Sequence, residues 1–140
     1  MTSLTYLEMM EIPDFESRVE YLFLNGRVGE KTFGSRRYLN QEFYRSRIWR
    51  DFRRRIIMRD QGCDLAHPDY PIQEHDKFLI HHLNPITLDD ILNNRACVLD
   101  PNNCVLVSFI THEAIHFGDM SIIKAHQPIE RMPNDTIPWR

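Results

Sequence analysis

Asp100-Pro101-Asn102-Asn103-Cys104-Val105-Leu106-Val107-Ser108-Phe109-Ile110-Thr111-His112-Glu113-Ala114-Ile115-His116-Phe117-Gly118 is the stretch whose reading sets the fold. Its first four residues read as a turn, because proline fixes φ and short polar side chains bond their own backbone. Val105-Leu106-Val107 reads as a short strand of β-branched and apolar residues. Ser108 then supplies a helix N-cap, and Gly118 a stop where the helix ends. Strand and helix thus follow one another within nineteen residues.

Upstream, Lys77 to Leu83 reads as a second short strand that Asn84-Pro85 breaks, so the two strands suit a small hairpin. Between them, Thr87 with Asp90 resembles a helix start, giving a short helix to about Asn94. His67-Pro68-Asp69-Tyr70-Pro71 is a turn. Before it, one long helix is expected from near Asn40 to just before Gly62. Tyr44, Ile48, Phe52 and Ile56 recur every four residues there and, with Trp49 and Ile57, form a buried stripe. Arg47, Arg50, Arg53 and Arg54 fall off that stripe, toward solvent. Asp14 caps a helix running to about Asn25, with Leu22 and Leu24 among its apolar residues and Gly26 just past its end; Gly29 and Gly34 mark a loop. The last twenty residues, rich in proline, read as an extended tail over 119–140. The order helix, helix, strand, turn, strand, helix predicts an α+β fold. A helical arginine-rich part covers about 12–62, and a hairpin-plus-helix about 76–118.

The chain of 140 residues suits one domain, and 42% apolar with 26% charged residues is a soluble globular composition. The longest uncharged apolar run, Val105 to Ile110, is far short of the roughly 18 residues needed to span a bilayer. Met1-Thr2-Ser3-Leu4 lacks the basic start of a secretory signal, so neither membrane insertion nor export is expected. Cys63, Cys97 and Cys104 show no C-x-x-C spacing and predict free thiols in a reducing compartment, the cytoplasm.

Net charge is −3, but its distribution matters more. Residues 36–59 hold nine arginines against Glu42 and Asp51, a local charge of +7 between an N-terminal part at −3 and a C-terminal part at −7. Fourteen of the seventeen basic residues are arginine, whose planar fork matches phosphate. Such a face suits tracking of a nucleic-acid backbone, against the simpler reading of a solvated helix face.

Five residues stand out: His81, His82, Asn103, His112 and His116. His112 and His116 are four apart, so on a helix they project from one side and suit two ligands of one metal ion. Zinc and other borderline metals favour imidazole, and a third ligand must come from elsewhere. In a regular strand the His81 and His82 rings face opposite ways, so serving one site requires a kink. His67, His75 and His126 are taken as ordinary histidines.

This order resembles the HNH, or ββα-metal, nuclease motif. Ile80-His81-His82-Leu83-Asn84-Pro85-Ile86 is similar to its first element and Asp100-Pro101-Asn102-Asn103 to its central asparagine turn. Asn103 precedes His112 by nine residues, the usual spacing in that motif. The nuclease colicins show a similar double histidine, asparagine and His-x-x-x-His. The wider chain also resembles small bacteriophage and prophage HNH proteins, through Phe33-Gly34, Arg37-Tyr38-Leu39-Asn40, Trp49-Arg50-Asp51-Phe52-Arg53, Arg59-Asp60-Gln61-Gly62-Cys63-Asp64-Leu65 and Pro133-Asn134-Asp135-Thr136-Ile137-Pro138-Trp139.

The resemblance implies a metal-dependent endonuclease that hydrolyses or nicks double-stranded DNA in the cytoplasm of a bacterial host. It assigns His81, His112 and His116 as ligands of one divalent ion (Zn2+, Mg2+, Mn2+ or Ni2+), His82 as general base, and Asn103 as the residue fixing the loop that holds His82. Arg47, Arg50, Arg53 and Arg54 become candidate phosphate contacts, and phage DNA-packaging proteins candidate partners. Cys104 and Glu113 depart from the family, which more often has leucine and asparagine there.

Two other readings compete. A chain that keeps the fold and metal but has lost catalysis would serve as a DNA- or protein-binding module. His112-Glu113-Ala114-Ile115-His116 also reads H-E-x-x-H, the zinc-protease helix, with Asp119, His126 or Glu130 as third ligand. That reading leaves His81, His82, Asn103 and the arginines unexplained.

Overall fold

The computed structural model of the chain describes residues 3–23 and 37–126. Helix α1 (Tyr6–Met10) starts at Thr5, whose hydroxyl accepts from the Glu8 N–H. Helix α2 (Phe15–Tyr21) starts at Asp14, as the sequence suggests, but closes at Leu22 rather than about Asn25. Its last turn ends where Leu22 is drawn into the core. Leu24, Asn25, Gly26, Gly29 and Gly34 lie outside the described residues.

The long helix expected over 40–61 is two helices, α3 (Arg37–Arg45) and α4 (Arg47–Arg59). Ser46 separates them: its backbone is extended (φ −67°, ψ 154°), and its hydroxyl accepts from the Trp49 N–H to cap α4. The break moves the apolar stripe. Trp49, Phe52 and Ile56 are buried, whereas Ile48 is 64% exposed. A four-residue spacing advances about 40° per step around a helix, so Ile48 falls to the margin once the stripe centres on the other three. Ile48→Lys is accordingly expected to leave stability within about 0.5 kcal/mol. Ile56→Ala should cost about 2–5 kcal/mol in urea unfolding.

Strands β1 (Leu79–His82) and β2 (Cys104–Val107) pair antiparallel, with His81 opposite Val105 and His82 opposite Cys104. β1 is shorter at both ends than Lys77–Leu83, and β2 gains Cys104. Side chains alternate across the hairpin. Val105 and Val107 join a core with Met9, Phe15, Val19, Ala114 and Ile115, whereas Cys104 and Leu106 pack with Trp49, Phe52 and Ile56. The hairpin is therefore the middle layer, with α4 on one face and helix α6 (Phe109–Phe117), backed by α2, on the other. α6 begins at the Ser108 cap and ends at Gly118, where a left-handed φ of 62° favours glycine.

Helix α5 (Leu88–Leu92) forms from a reciprocal capping box between Thr87 and Asp90, and Asn93 closes it. Helix α7 (Ser121–His126) corrects the extended tail expected from residue 119: Ile123 is buried in the α6 core, and Ile122 and Met120 pack against it, so the segment coils to cover apolar surface. Residues 127–140 lie outside the described residues.

Two buried carboxylates tie the layers together. Asp60 accepts the Tyr6 hydroxyl, the Leu106 N–H and two N–H groups of Arg59. Arg59 also donates to the carbonyls of Pro101 (2.6 Å) and Cys104 (2.7 Å), so the end of α4 grips the turn before β2. Asp64 accepts from the Ser108 N–H and from the hydroxyls of Ser108 and Thr111, holding the first turn of α6. No helix among the described residues is long and apolar enough to cross a membrane.

Candidate functional site

β1 places His81 on the α6 side of the hairpin, where its ring meets that of His112 edge to face, with centroids 5.7 Å apart. His81 is buried, and its Nε2 has no hydrogen-bond partner among the described residues. An unpaired buried polar atom is costly, so it points to a function for that nitrogen. His116 sits one turn beyond His112 on α6, exposed, with its ring against Phe117. Among the described residues, no three His, Cys, Asp or Glu side chains stand close enough to hold a metal ion as they are arranged. The structure thus brings His81 and His112 together and leaves His116 beside them.

The donor chemistry nevertheless fits a divalent cation. Burial, then the neighbouring His112, His82 and His116, push the His81 imidazole from 6.5 down to about 3. Burial likewise lowers His112, outweighing the opposite pull of Glu113. Both rings are therefore neutral near pH 7, the form that ligates metals.

These shifts make stability depend on pH. Below 6.5 the unfolded chain binds a proton at His81 that the folded chain refuses until about pH 3. Stability is full above about 6.5 and falls as pH drops toward 3. Urea unfolding of the metal-free protein should lose about 2 kcal/mol through His81 alone between pH 7 and 5. His81→Phe should flatten that slope.

His82 lies on the other face of the hairpin. β1 runs through it without the kink a shared site would require, and its ring stacks on Trp49 with centroids 5.8 Å apart. Its Nε2 meets the Val98 carbonyl at 2.9 Å. A carbonyl can only accept, so the neutral ring carries its proton on Nε2 and Nδ1 is the basic nitrogen. Burial lowers the His82 pKa, partly offset by the Val98 hydrogen bond.

Asn103 staples the turn that follows His82. Its Oδ1 accepts from the backbone N–H (3.0 Å) and the side-chain amide (2.8 Å) of Asn84. Its Nδ2 donates to the Cys97 carbonyl, and its own carbonyl accepts from the Leu83 N–H. Asn84 in turn pairs with both backbone groups of Leu4. Sequence reasoning took Asn84 as a strand breaker and as part of the motif's first element, and did not single out Trp49, Val98 or Arg59 as supports. An aspartate directly after Arg59, before the Gln61-Gly62 helix stop, was the signal in the sequence for the last of these.

The arginines divide. Arg47, Arg50 and Arg54 are exposed on α4, with Arg47 only loosely paired to Asp51 at 3.8 Å. Arg53 corrects the expectation of a solvent-facing residue: it is half-buried, and its Nη2 donates to the Phe78 carbonyl at 2.8 Å. That bond turns it onto the outer edge of β1, because the strand leaves this carbonyl unpaired there. An open groove of about 270 Å³ runs along this edge, between Tyr44, Trp49 and Arg53 on one side and His112 on the other, with Phe78 and Ile80 between them. The chain matches no protein-family model, no curated protein and no solved structure.

Proposed function

We propose that the chain is a metal-dependent endonuclease of the HNH, or ββα-metal, type that hydrolyses or nicks DNA. The observation supporting this most is the orphaned Nε2 of His81, whose ring packs edge to face on that of His112, on a hairpin and helix ordered as that motif orders them. His81, His112 and His116 would hold one divalent ion. Such an ion offsets the negative charge that builds on the phosphate and the leaving 3′ oxygen. His82 would take the proton of the attacking water at Nδ1, the nitrogen left basic by the Val98 carbonyl, from the α4 side of the strand and not from the face that His81 shares with His112. Asn103 holds the turn beyond His82, and Arg53 meets a phosphate beside His112. A bacterial cytoplasm and phage packaging proteins as partners belong to the same reading.

The test is nicking of supercoiled plasmid by the purified chain with Zn2+, Mg2+, Mn2+ or Ni2+, against a chelator control. Glu113→Gln should barely alter nicking, whereas it would abolish the activity of a zinc protease. A second reading, a binding module without catalysis, draws on one observation: His82 stands on the α4 face, away from His81 and His112. That module would retard DNA on a gel in a salt-sensitive way and leave plasmid intact with every metal.

A further inference from the structure

We propose that the groove along the outer edge of β1 receives one unpaired nucleotide of a DNA strand, its base against Tyr44 and Phe78 and its phosphate at Arg53. The inference rests on the nuclease reading and narrows its substrate to DNA with a single-stranded or opened segment.

The outer edge follows from hydrogen-bond parity. Leu83 donates to Asn103 across the hairpin, so the backbone groups of alternate residues, Phe78, Ile80 and His82, face away from β2. The Phe78 carbonyl confirms this by accepting from Arg53. Arg53 spends one of its five N–H donors on that carbonyl and is held with its guanidinium in the groove. Tyr44, Phe78 and Ile80, partly buried on the core around Trp49 and Phe52, also give the same groove an apolar and aromatic wall.

The aromatic wall and the fixed guanidinium suit the base and the phosphate of one nucleotide. Base stacking on an aromatic side chain tolerates any sequence because every base has a π-face. At about 270 Å³ the groove falls just below the roughly 300–1,000 Å³ of common ligand pockets, room for one nucleotide and not for a base pair. A paired base shows only its edges to a lateral groove, so the occupant is unpaired or turned out of its stack. The exposed Arg47, Arg50 and Arg54 on the same helix supply the charge that draws the backbone of a strand toward it.

Binding is measured by fluorescence anisotropy of the full chain, with chelator present, on a labelled strand of about twelve nucleotides. The same sequence as a blunt duplex and a wholly abasic strand of equal length are compared with it. The single strand should bind about tenfold more tightly than the duplex and about tenfold more tightly than the abasic strand. Phe78→Ala should remove most of the second difference and Phe78→Tyr restore it. Equal affinity for strand and duplex, or for normal and abasic strands, would overturn the proposal. So would a base-dependent difference that Phe78→Ala, folded by circular dichroism, leaves untouched. Chelation separates the two readings. A chain that shows this preference and never nicks plasmid keeps the groove and loses the nuclease, and one that nicks without the preference does the reverse.

Discussion

Alanine at His82 is expected to lower divalent-ion-dependent nicking of supercoiled plasmid by about 100-fold or more, the usual cost of removing a general base. Affinity for DNA should change little, because the ring lies between Trp49 and the Val98 carbonyl rather than among the exposed arginines. Initial rates at saturating metal, with a gel-shift control, separate the two effects. His82→Ala working at the unaltered rate would take His82 out of the reaction and leave its contact with Trp49 as packing. Asn103→Ala supplies a companion result. It removes the acceptor of two Asn84 groups and the donor to Cys97, so nicking should fall together with the melting temperature. His82→Ala should instead lower the rate more than the melting temperature.

The second large effect concerns stability. Asp60→Ala is expected to lower the unfolding free energy by about 3 kcal/mol, the lower end of what breaking a buried ion pair costs. The substitution leaves the Tyr6 hydroxyl and the Leu106 N–H without their acceptor and takes the counter-charge from Arg59, which keeps its carbonyl partners. Tyr6→Phe removes one of those bonds and should cost about 1 kcal/mol. Urea unfolding measures both. A loss below about 1 kcal/mol for Asp60→Ala would mean that the stranded donors find water without strain. Arg59 also holds the Pro101 and Cys104 carbonyls, so a loosened Arg59 should slow nicking as well through the asparagine turn.

Local chemistry made much of the hairpin region legible. The Thr87–Asp90 box, the Ser108 cap, the Gly118 stop and the two strands announce themselves through residues that act within four positions of one another. The break at Ser46 was hidden because the arginine-rich sequence around it keeps a helical period on both sides, while one hydroxyl bonding the Trp49 N–H decides it. Helix α7 was hidden by the prolines that follow it, although Ile123 has a core to cover. Within the site, spacing could put His112 and His116 on one helix. The meeting of His81 with His112, and the turning of Arg53 to Phe78, depend on pairing across layers that no local pattern encodes. Strand alternation did announce the opposite facing of His81 and His82.

The Leu4–Asn84–Asn103 link sets the order in which this molecule can mature. Leu4 and Leu7 are bonded to partners 80 and 95 positions away, Asn84 and Asn102. Contacts so distant along the chain must wait for a large loop to close, and such closures slow folding even in a protein rich in helices. On a ribosome, the early segment emerges long before the turn it fastens, so the Leu4 and Leu7 bonds can close only after residues 84 and 102 have emerged.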